Sequence, residues 1–180
     1  MLQPENSVIE ICYVTHDMDA TIDHWINIMG AGPFFVGDME LTENQFHRGE
    51  PCEQAIKVGF GFSGGVLIEL VQPLRDIPSV FKEVLDTTGP GYHHVMMRVD
   101  YDEGYERYSR AGYEVGLHSI LPGGERCTLF DARKDTGGFL EVMEMSESLT
   151  GQIETIAKAH QEWDRTTRPV RPMMESFGAI

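Results

Sequence analysis

The chain has few basic residues for its 180-residue length: 14 Lys and Arg stand against 29 Asp and Glu, a formal net charge of −15 at pH 7. Nucleic acids and anionic membrane surfaces both attract clustered basic side chains, so this charge argues against both partners. The sequence also lacks an apolar run of membrane-spanning length, and MLQPENSVIE has neither the basic nor the apolar part of a secretory signal. We therefore expect a cytoplasmic protein with no nucleic-acid or membrane partner.

Cysteine is scarce as well. Cys12, Cys52 and Cys127 are too few and too scattered for a disulfide framework or for a zinc site made of thiolates. Apolar residues are plentiful, at 41% of the chain, which is enough for one domain or for two small halves that share a core. Polar side chains that interrupt apolar strands are then the candidates for function.

Residues 91–100, GYHHVMMRVD, alternate in a way that predicts a strand with one unusual face. That face would present His94, Met96 and Arg98, a mixed set that suits the wall of a pocket with a polar centre. The opposite face would be a core face that begins with His93. A half-buried strand whose histidines bond to a neighbour remains the alternative.

Two internal echoes suggest that the chain repeats itself. VIEICYVTHDMD, residues 8–19, has the strand and the closing acidic cluster of GYHHVMMRVD, with Glu10 matched to His94. VLIELVQP then matches GFLEVMEM, with Glu69 matched to Glu141 inside otherwise apolar strands. A repeat of this kind is stronger evidence about a fold than a single motif.

The repeat predicts an α+β fold of two halves, each a strand, a helix and three further strands. Module one would span 8–73 and module two 92–145, joined by a linker, 74–91. Together they would make a single domain, 1–148, followed by a C-terminal helix and an extended tail, 149–180. The polar stretch 38–53 is typical of a loop within module one.

Such paired halves, with polar residues on the first and last strand of each, resemble the vicinal oxygen chelate superfamily of glyoxalases, bleomycin-resistance proteins and dioxygenases. YHHVMMRVD, IELVQP and GFLEVME are similar to its methylmalonyl-CoA epimerase and lactoylglutathione lyase branches. The resemblance covers roughly residues 8–145. It implies two βαβββ modules that form an open, cup-shaped, glyoxalase-like mixed sheet around a divalent metal ion.

The resemblance also implies the metal ligands Glu10, Glu69, His94 and Glu141, although relatives usually have His or Gln at position 10. This oxygen-rich set suits Mn²⁺, Co²⁺ or Mg²⁺ better than a thiophilic ion, with Ni²⁺ and Zn²⁺ also among the candidates. Three carboxylates around a dication leave an excess negative charge. Either Glu10 binds with a shifted pKa, or it faces away, or the site holds no metal.

The chemistry implied is proton transfer next to a carbonyl, with the metal polarising the oxygen and a Glu taking the proton. Glu141 would be both ligand and base. Glu53, in CEQAIKVGF, is a second candidate base, and an exposed loop acid is its ordinary interpretation. We therefore expect a metal-dependent isomerase, epimerase or lyase. The alternatives are a metal-free small-molecule binding protein of the bleomycin-resistance kind and an iron-dependent ring-cleaving dioxygenase.

The residues beside the ligands indicate a small hydrophobic carbonyl compound or thioester as the substrate. Met96, Phe139 and Met143 would form an apolar wall, and Arg98 would hold a carboxylate or phosphate, unless it pairs with an acidic neighbour. We also expect a homodimer, because relatives often pair and because Trp25, Trp163 and the C-terminal segment offer apolar surface.

Overall fold

The structure is a computed structural model that describes residues 3–41 and 44–177, and its strands form one open mixed sheet. Within those ranges the strands are β1 (Val8–Val14), β2 (Phe34–Leu41), β3 (Gln45–His47), β4 (Glu50–Pro51), β5 (Gln54–Ser63), β6 (Val66–Pro73), β7 (Gly91–Met97), β8 (Glu114–Ile120), β9 (Arg126–Asp131), β10 (Phe139–Met143) and β11 (Val170–Pro172). The helices are α1 (Met18–Asn27), α2 (Val80–Thr88), α3 (Tyr101–Arg110), α4 (Arg133–Thr136) and α5 (Glu147–Glu162), and a 3₁₀ helix spans Met173–Phe177. The predicted α+β class is confirmed.

The strand order is mirrored about its centre. It runs β11-β2-β5-β6-β1-β7-β10-β9-β8-β3-β4. β1 and β7 lie side by side and antiparallel, and each has a parallel partner on its outer side, β6 and β10 respectively. The first strands of the two echoed segments are therefore neighbours, and the four central strands are the ones on which the sequence places Glu10, Glu69, His94 and Glu141.

Two helices cover the face of the sheet opposite to those four residues. α1 begins at the Asp17 cap, whose side chain accepts a hydrogen bond from the backbone N–H of Ala20. Its apolar stripe packs on Ile68 and Leu70, which alternate with Glu69 along β6. α3 packs in the same way near Val142, the neighbour of Glu141. The polar side chains thus project to the other face, which we call the site face.

The site face is covered at two places, and a space remains between them. α2, capped by Ser79, packs Phe81 and Val84 on Cys12 and the strand residues around it. Ile153 and Ile156 of α5 pack on a second group of strand residues on the same face, namely Phe35, Phe62 and Leu67. The sequence predicts both helices, but their common face follows only from the packing.

The stretch 38–53, predicted as a loop, is mostly strand in its described part. β2 continues to Leu41, and β3 pairs antiparallel with the edge of β8, with Gln45 opposite Ser119. The prediction was wrong because the partner of β3 lies in the other half of the chain, and strand formation follows the partner more than local sequence. The predicted extended tail also becomes a strand, since β11 pairs parallel with β2.

As regards membranes, the helices in the described ranges are too short or too polar to span one.

Candidate metal centre

Four ionisable side chains converge on the site face, one from each central strand. They are Glu10 on β1, Glu69 on β6, His94 on β7 and Glu141 on β10, and their candidate ligand atoms all lie within 4.8 Å of one another. Nε2 of His94 is 2.7 Å from Glu141 Oε2, 3.3 Å from Glu69 Oε2 and 3.5 Å from Glu10 Oε1. We call these four residues the carboxylate cluster.

Burial and mutual repulsion make the cluster electrostatically unusual. Glu10 is only 4% exposed, and its burial together with the nearby charge of Glu69 raises its pKa to about 8. Burial lowers the pKa of His94, but the nearby negative charge of Glu141 helps to outweigh that effect, so the pKa of His94 lies well above its usual value. One imidazole does not offset the three carboxyl groups once they are all ionised, and a bound cation would favour that ionised state.

A β-bulge turns a second histidine toward the cluster. Cys12 pairs with His94, and the next pair of the β1–β7 register skips His93, which is the extra residue of the bulge. The Nδ1 atoms of His93 and His94 are 2.8 Å apart, and the His93 ring stacks on Phe139 at 5.0 Å. The alternation that assigned His93 to the opposite face was therefore wrong, because strict alternation fails at a bulge.

The bulge has a chemical consequence for His94. Burial lowers the pKa of His93, so its neutral ring can accept a hydrogen bond from Nδ1–H of His94. With Nδ1–H as the donor of that bond, Nε2 is the nitrogen of a neutral His94 that can bind a metal, and it faces the carboxylates. A carboxylate or a backbone carbonyl usually takes this supporting role, and here a second imidazole takes it.

The cluster fits a divalent cation in its geometry as well as in its charge. Within the described residues, Nε2 of His94 makes no hydrogen bond of acceptable geometry, although Glu141 Oε2 is only 2.7 Å away. The imidazole and the three carboxyl groups are directed at a common space, and Nε2 of His94 forms no hydrogen bond with the carboxyl groups. One imidazole nitrogen and carboxylate oxygens are ligands that Mn²⁺, Co²⁺, Mg²⁺, Ni²⁺ and Zn²⁺ accept.

Two cysteines lie beside the cluster: Cys12, which strand alternation places on the same face as Glu10, and Cys127, whose position the sequence does not indicate. Cys127 Sγ donates to Glu141 Oε1 at 3.2 Å, and Cys12 forms a second group of possible ligand atoms with His93 and His94. Burial raises the pKa of both thiols well above the usual value. A protonated thiol is a poor metal ligand, so the carboxylate cluster is the better candidate. The contact between Cys127 and Glu141 depends on the pairing of β9 with β10, in which Cys127 lies opposite Met143. The sequence alone does not give that register.

A cavity of about 630 Å³ opens over the cluster, which lines it. Apolar side chains from the sheet make up much of its wall, with Met96, Leu117 and Met143 among them. α5 and the 3₁₀ helix complete the wall. A volume of this size suits a drug-sized organic molecule.

A family model and several solved structures match this chain. Residues 10–129, two thirds of the chain, match the family model described as Glyoxalase/Bleomycin resistance protein/Dioxygenase superfamily. The chain belongs to this superfamily. Among curated proteins no match is found.

Solved structures of the superfamily fold agree with this assignment. A hypothetical protein from Bacillus halodurans C-125 is 17% identical with a TM-score of 0.60, over 80% of this chain and 97% of its own. Methylmalonyl-CoA epimerase from Mycobacterium tuberculosis is 18% identical with a TM-score of 0.57, over 83% and 96%. A variant of the Streptomyces coelicolor methylmalonyl-CoA epimerase, in complex with 2-nitronate-propionyl-CoA, is 20% identical with a TM-score of 0.55, over 79% and 99%. At these identities the likeness establishes the fold.

In this superfamily member, the structure brings only some of the predicted substrate residues to the cavity. Met96 and Met143 line it, whereas Phe139 is fully buried behind the His93 ring. Arg98 lies outside the cavity wall, because β7 ends at Met97 and the alternation ends with it. Its guanidinium instead donates to the carbonyl of Gln3 at 2.7 Å.

Glu53 has the surface position of an ordinary loop acid. It is exposed, it precedes β5, and it is not among the residues that line the cavity. Its carbonyl accepts a hydrogen bond from Arg75 at 2.9 Å. The structure therefore gives Glu53 no contact with the cavity over the cluster.

The two tryptophans are buried within the chain and offer no apolar surface to a second copy. Trp25 is 9% exposed and packs edge-on against Tyr13, with ring centroids 5.0 Å apart. Trp163 is 8% exposed and donates its indole N–H to the carbonyl of Thr167. The tryptophan part of the argument for a homodimer was therefore wrong, and the homodimer itself stays a prediction.

Proposed function

We propose that this superfamily member is a metal-dependent isomerase, epimerase or lyase that transfers a proton next to the carbonyl of a small hydrophobic compound. The observation that carries the proposal is the carboxylate cluster, buried in the wall of a largely apolar cavity. Three carboxylates with one imidazole are costly to bury unless a cation joins them. Two of the similar structures are methylmalonyl-CoA epimerases, which supports an epimerase or isomerase type of reaction.

Glu10, Glu69, His94 and Glu141 would hold the divalent ion, whether Mn²⁺, Co²⁺, Ni²⁺, Mg²⁺ or Zn²⁺. When bound, such an ion polarises a substrate carbonyl and stabilises the negative charge that develops on its oxygen. His93 keeps His94 in the ligand tautomer through the Nδ1 contact at 2.8 Å. The protein supplies a dry and shaped surrounding for this chemistry.

Glu141 is the best-supported base, because it faces the cavity from the centre of the sheet. The thiol of Cys127 donates to one of its oxygens, which orients the carboxylate for proton transfer. The apolar side chains of Met96 and Met143 exclude water around it. With Glu53 exposed at the surface, a single base is better supported than a pair on opposite faces. One base suffices for isomerisation.

Metal binding is the first test. Protein freed of metal by a chelator should bind Mn²⁺ or Co²⁺ in a calorimetric titration, and His94→Ala should lose that binding while remaining folded. His118→Ala is the matched control, because His118 is a half-buried strand histidine that does not line the cavity. If no divalent ion binds under any condition, the enzyme proposal fails and a metal-free binding protein takes its place.

Proton transfer is the second test. Metal-loaded protein in D₂O should exchange the hydrogens next to the carbonyl of hydroxyacetophenone, as read by NMR, and Glu141→Gln should abolish the exchange. Iron loading with a record of oxygen uptake tests ring cleavage. That reaction has less support, because such sites use two His and one carboxylate while the cluster has one His.

We also propose that the protein acts as a homodimer in the cytoplasm. The described residues include exposed apolar side chains that a partner could cover, such as Ile28 at 70% and Val170 at 49% exposed. The cysteines are free thiols, which fits a reducing compartment. Light scattering at micromolar protein should give twice the chain mass, and a monomer mass would reject the dimer.

A further inference from the structure

The C-terminal segment is a fixed part of the cavity wall. β11 pairs with β2, and Met173 packs so tightly on that strand that a Cβ added at Gly37 would lie 2.7 Å from Met173 Cβ. Nε2 of Gln152 on α5 donates to Oγ of Ser176 at 2.9 Å, and both side chains are buried. Strand pairing, close packing and a buried hydrogen bond together hold the 3₁₀ helix against the site face.

The same segment forms part of the cavity mouth. The cavity-lining residues that are also exposed mark where the cavity opens. From the C-terminal segment these include Met174, at 64% exposed, and Phe177, at 48%. Asp38 on β2 and Pro122 in the turn between β8 and β9 are also exposed residues of the cavity lining. The mouth therefore has an apolar side and an acidic group.

Apart from His94, which the three carboxyl groups of the cluster already surround, no basic side chain lines the described part of the cavity wall. Apart from the carboxylate cluster, the acidic side chains in the described wall of the cavity are Asp38 and Glu125. Neither Lys nor Arg lines that wall. Lys57, which does not line the cavity, pairs with Asp38, and its Nζ lies 3.9 Å from the carboxylate. A carboxylate or a phosphate entering this space would lose water without gaining a cationic partner, and acidic groups would repel it.

The apolar wall, the partly apolar mouth and the acidic groups of the cavity all bear on the class of substrate that it accepts. We propose that α5 and the 3₁₀ helix Met173–Phe177 restrict this cavity to neutral, apolar carbonyl compounds, and that the cavity excludes free carboxylates. The carbonyl part of this statement rests on the proposed function, whereas the selection for neutral, apolar molecules does not.

A matched pair of fluorescent probes tests the selection. Anilinonaphthalene is neutral, and its sulfonate has the same ring system with a negative charge. With metal-free protein, the neutral probe should bind at least about tenfold more tightly than the sulfonate. Phe177→Lys at the mouth should narrow that ratio, and Met29→Lys should not, because Met29 is similarly exposed at 53% but lies outside the cavity.

A variant that fills the cavity and a competition with unlabelled compounds provide two further tests. Met143→Trp should fill the cavity and weaken the neutral probe, with the melting temperature showing that the variant folds. Neutral-probe binding that is unchanged in Met143→Trp would mean that the cavity does not accept the compound, and the proposal would fall. Equal or tighter sulfonate binding would overturn it too, as would displacement of the neutral probe by benzoate but not by hydroxyacetophenone. The assay needs no metal, so a failed metal titration rejects the proposed function and leaves this result standing.

Discussion

Glu10 is the most perturbed carboxyl group of the cluster, with a pKa raised to about 8. With Glu69 and Glu141 it makes three carboxylates around one imidazole, all within 4.8 Å. Repulsion between like charges in a buried place destabilises the metal-free fold and at the same time attracts a cation. In the proposed metal-dependent protein, Glu10 would therefore lower the stability of the metal-free fold and raise the affinity for the metal.

Replacing Glu10 by Gln separates these two effects. Gln keeps an oxygen ligand and removes one negative charge, so the metal-free variant should melt at a higher temperature than the parent. Metal should then raise its melting temperature by less than it raises that of the parent. Thermal melts with chelator and with Mn²⁺ measure both quantities. A variant that loses metal as completely as His94→Ala would show that Glu10 is an essential ligand and that the account of excess charge is wrong.

His93 acts on the cluster through His94. In His93→Phe the ring can still stack on Phe139, but the acceptor for Nδ1–H of His94 is lost. Supporting residues of this kind are worth about 10- to 100-fold in metal affinity, so we expect a loss of that size in a Co²⁺ titration. His118→Phe should leave the affinity unchanged. An unaltered affinity in His93→Phe would reduce His93 to a packing residue.

At this scale the sequence predicted the convergence of Glu10, Glu69, His94 and Glu141, because the echo matched their positions and the sheet pairs echoed strands. It did not predict the role of His93, since a bulge depends on the β1–β7 register and leaves no local pattern. Arg98 was misplaced for a related reason: alternation gives direction only as far as the strand continues.

At the scale of elements, the repeated strands and their helices were predictable from apolar periodicity and caps. β3 and β11 were not, because each forms on a distant edge, β8 and β2 respectively. The packing of α5 on the site face was also hidden, since its apolar stripe indicates that it is buried but not where. These non-local contacts are the ones that close the cavity.

The contact between β2 and the 3₁₀ helix can be tested with one added methyl group. Gly37→Ala places a Cβ 2.7 Å from Met173 Cβ, so the 3₁₀ helix must move or the strand must shift. We expect a loss of about 1–3 kcal/mol in the free energy of unfolding, measured by urea denaturation, and weaker binding of neutral anilinonaphthalene.

Gly151→Ala on α5 is the matched control. An added Cβ there meets no atom within 4 Å, and Gly weakens a helix interior, so this variant should gain about 0.5–1 kcal/mol. If Gly37→Ala were as stable as the parent and bound the probe as well, the C-terminal segment would not be a tightly packed wall.

At the scale of the whole molecule, an ionic network joins parts of the chain that are distant in sequence. Arg48, in the turn between β3 and β4, bonds to Glu83 on α2 at 2.6 Å and to Asp131 on β9 at 2.7 Å. Arg133 on α4 bonds to Asp131 as well. The network thereby ties the segment after β2 to the strands of the second half, and its members are partly shielded from water.

Asp131 connects this network to pH. Hydrogen bonds from Arg133, outweighing the effect of burial, hold the pKa of Asp131 well below its usual value, with Arg48 contributing. Because the folded-state pKa is depressed, the carboxylate stabilises the fold above its unfolded-state pKa of about 4, and that contribution is lost as the pH falls below it. Asp131→Asn should therefore cost about 1–2 kcal/mol at neutral pH and progressively less in acid, because the parent loses the same contribution there. Urea denaturation at a series of pH values measures the difference. Glu154→Gln, an exposed change on α5, should show a smaller effect throughout, and a cost for Asp131→Asn that stays constant into acid would contradict the depressed pKa.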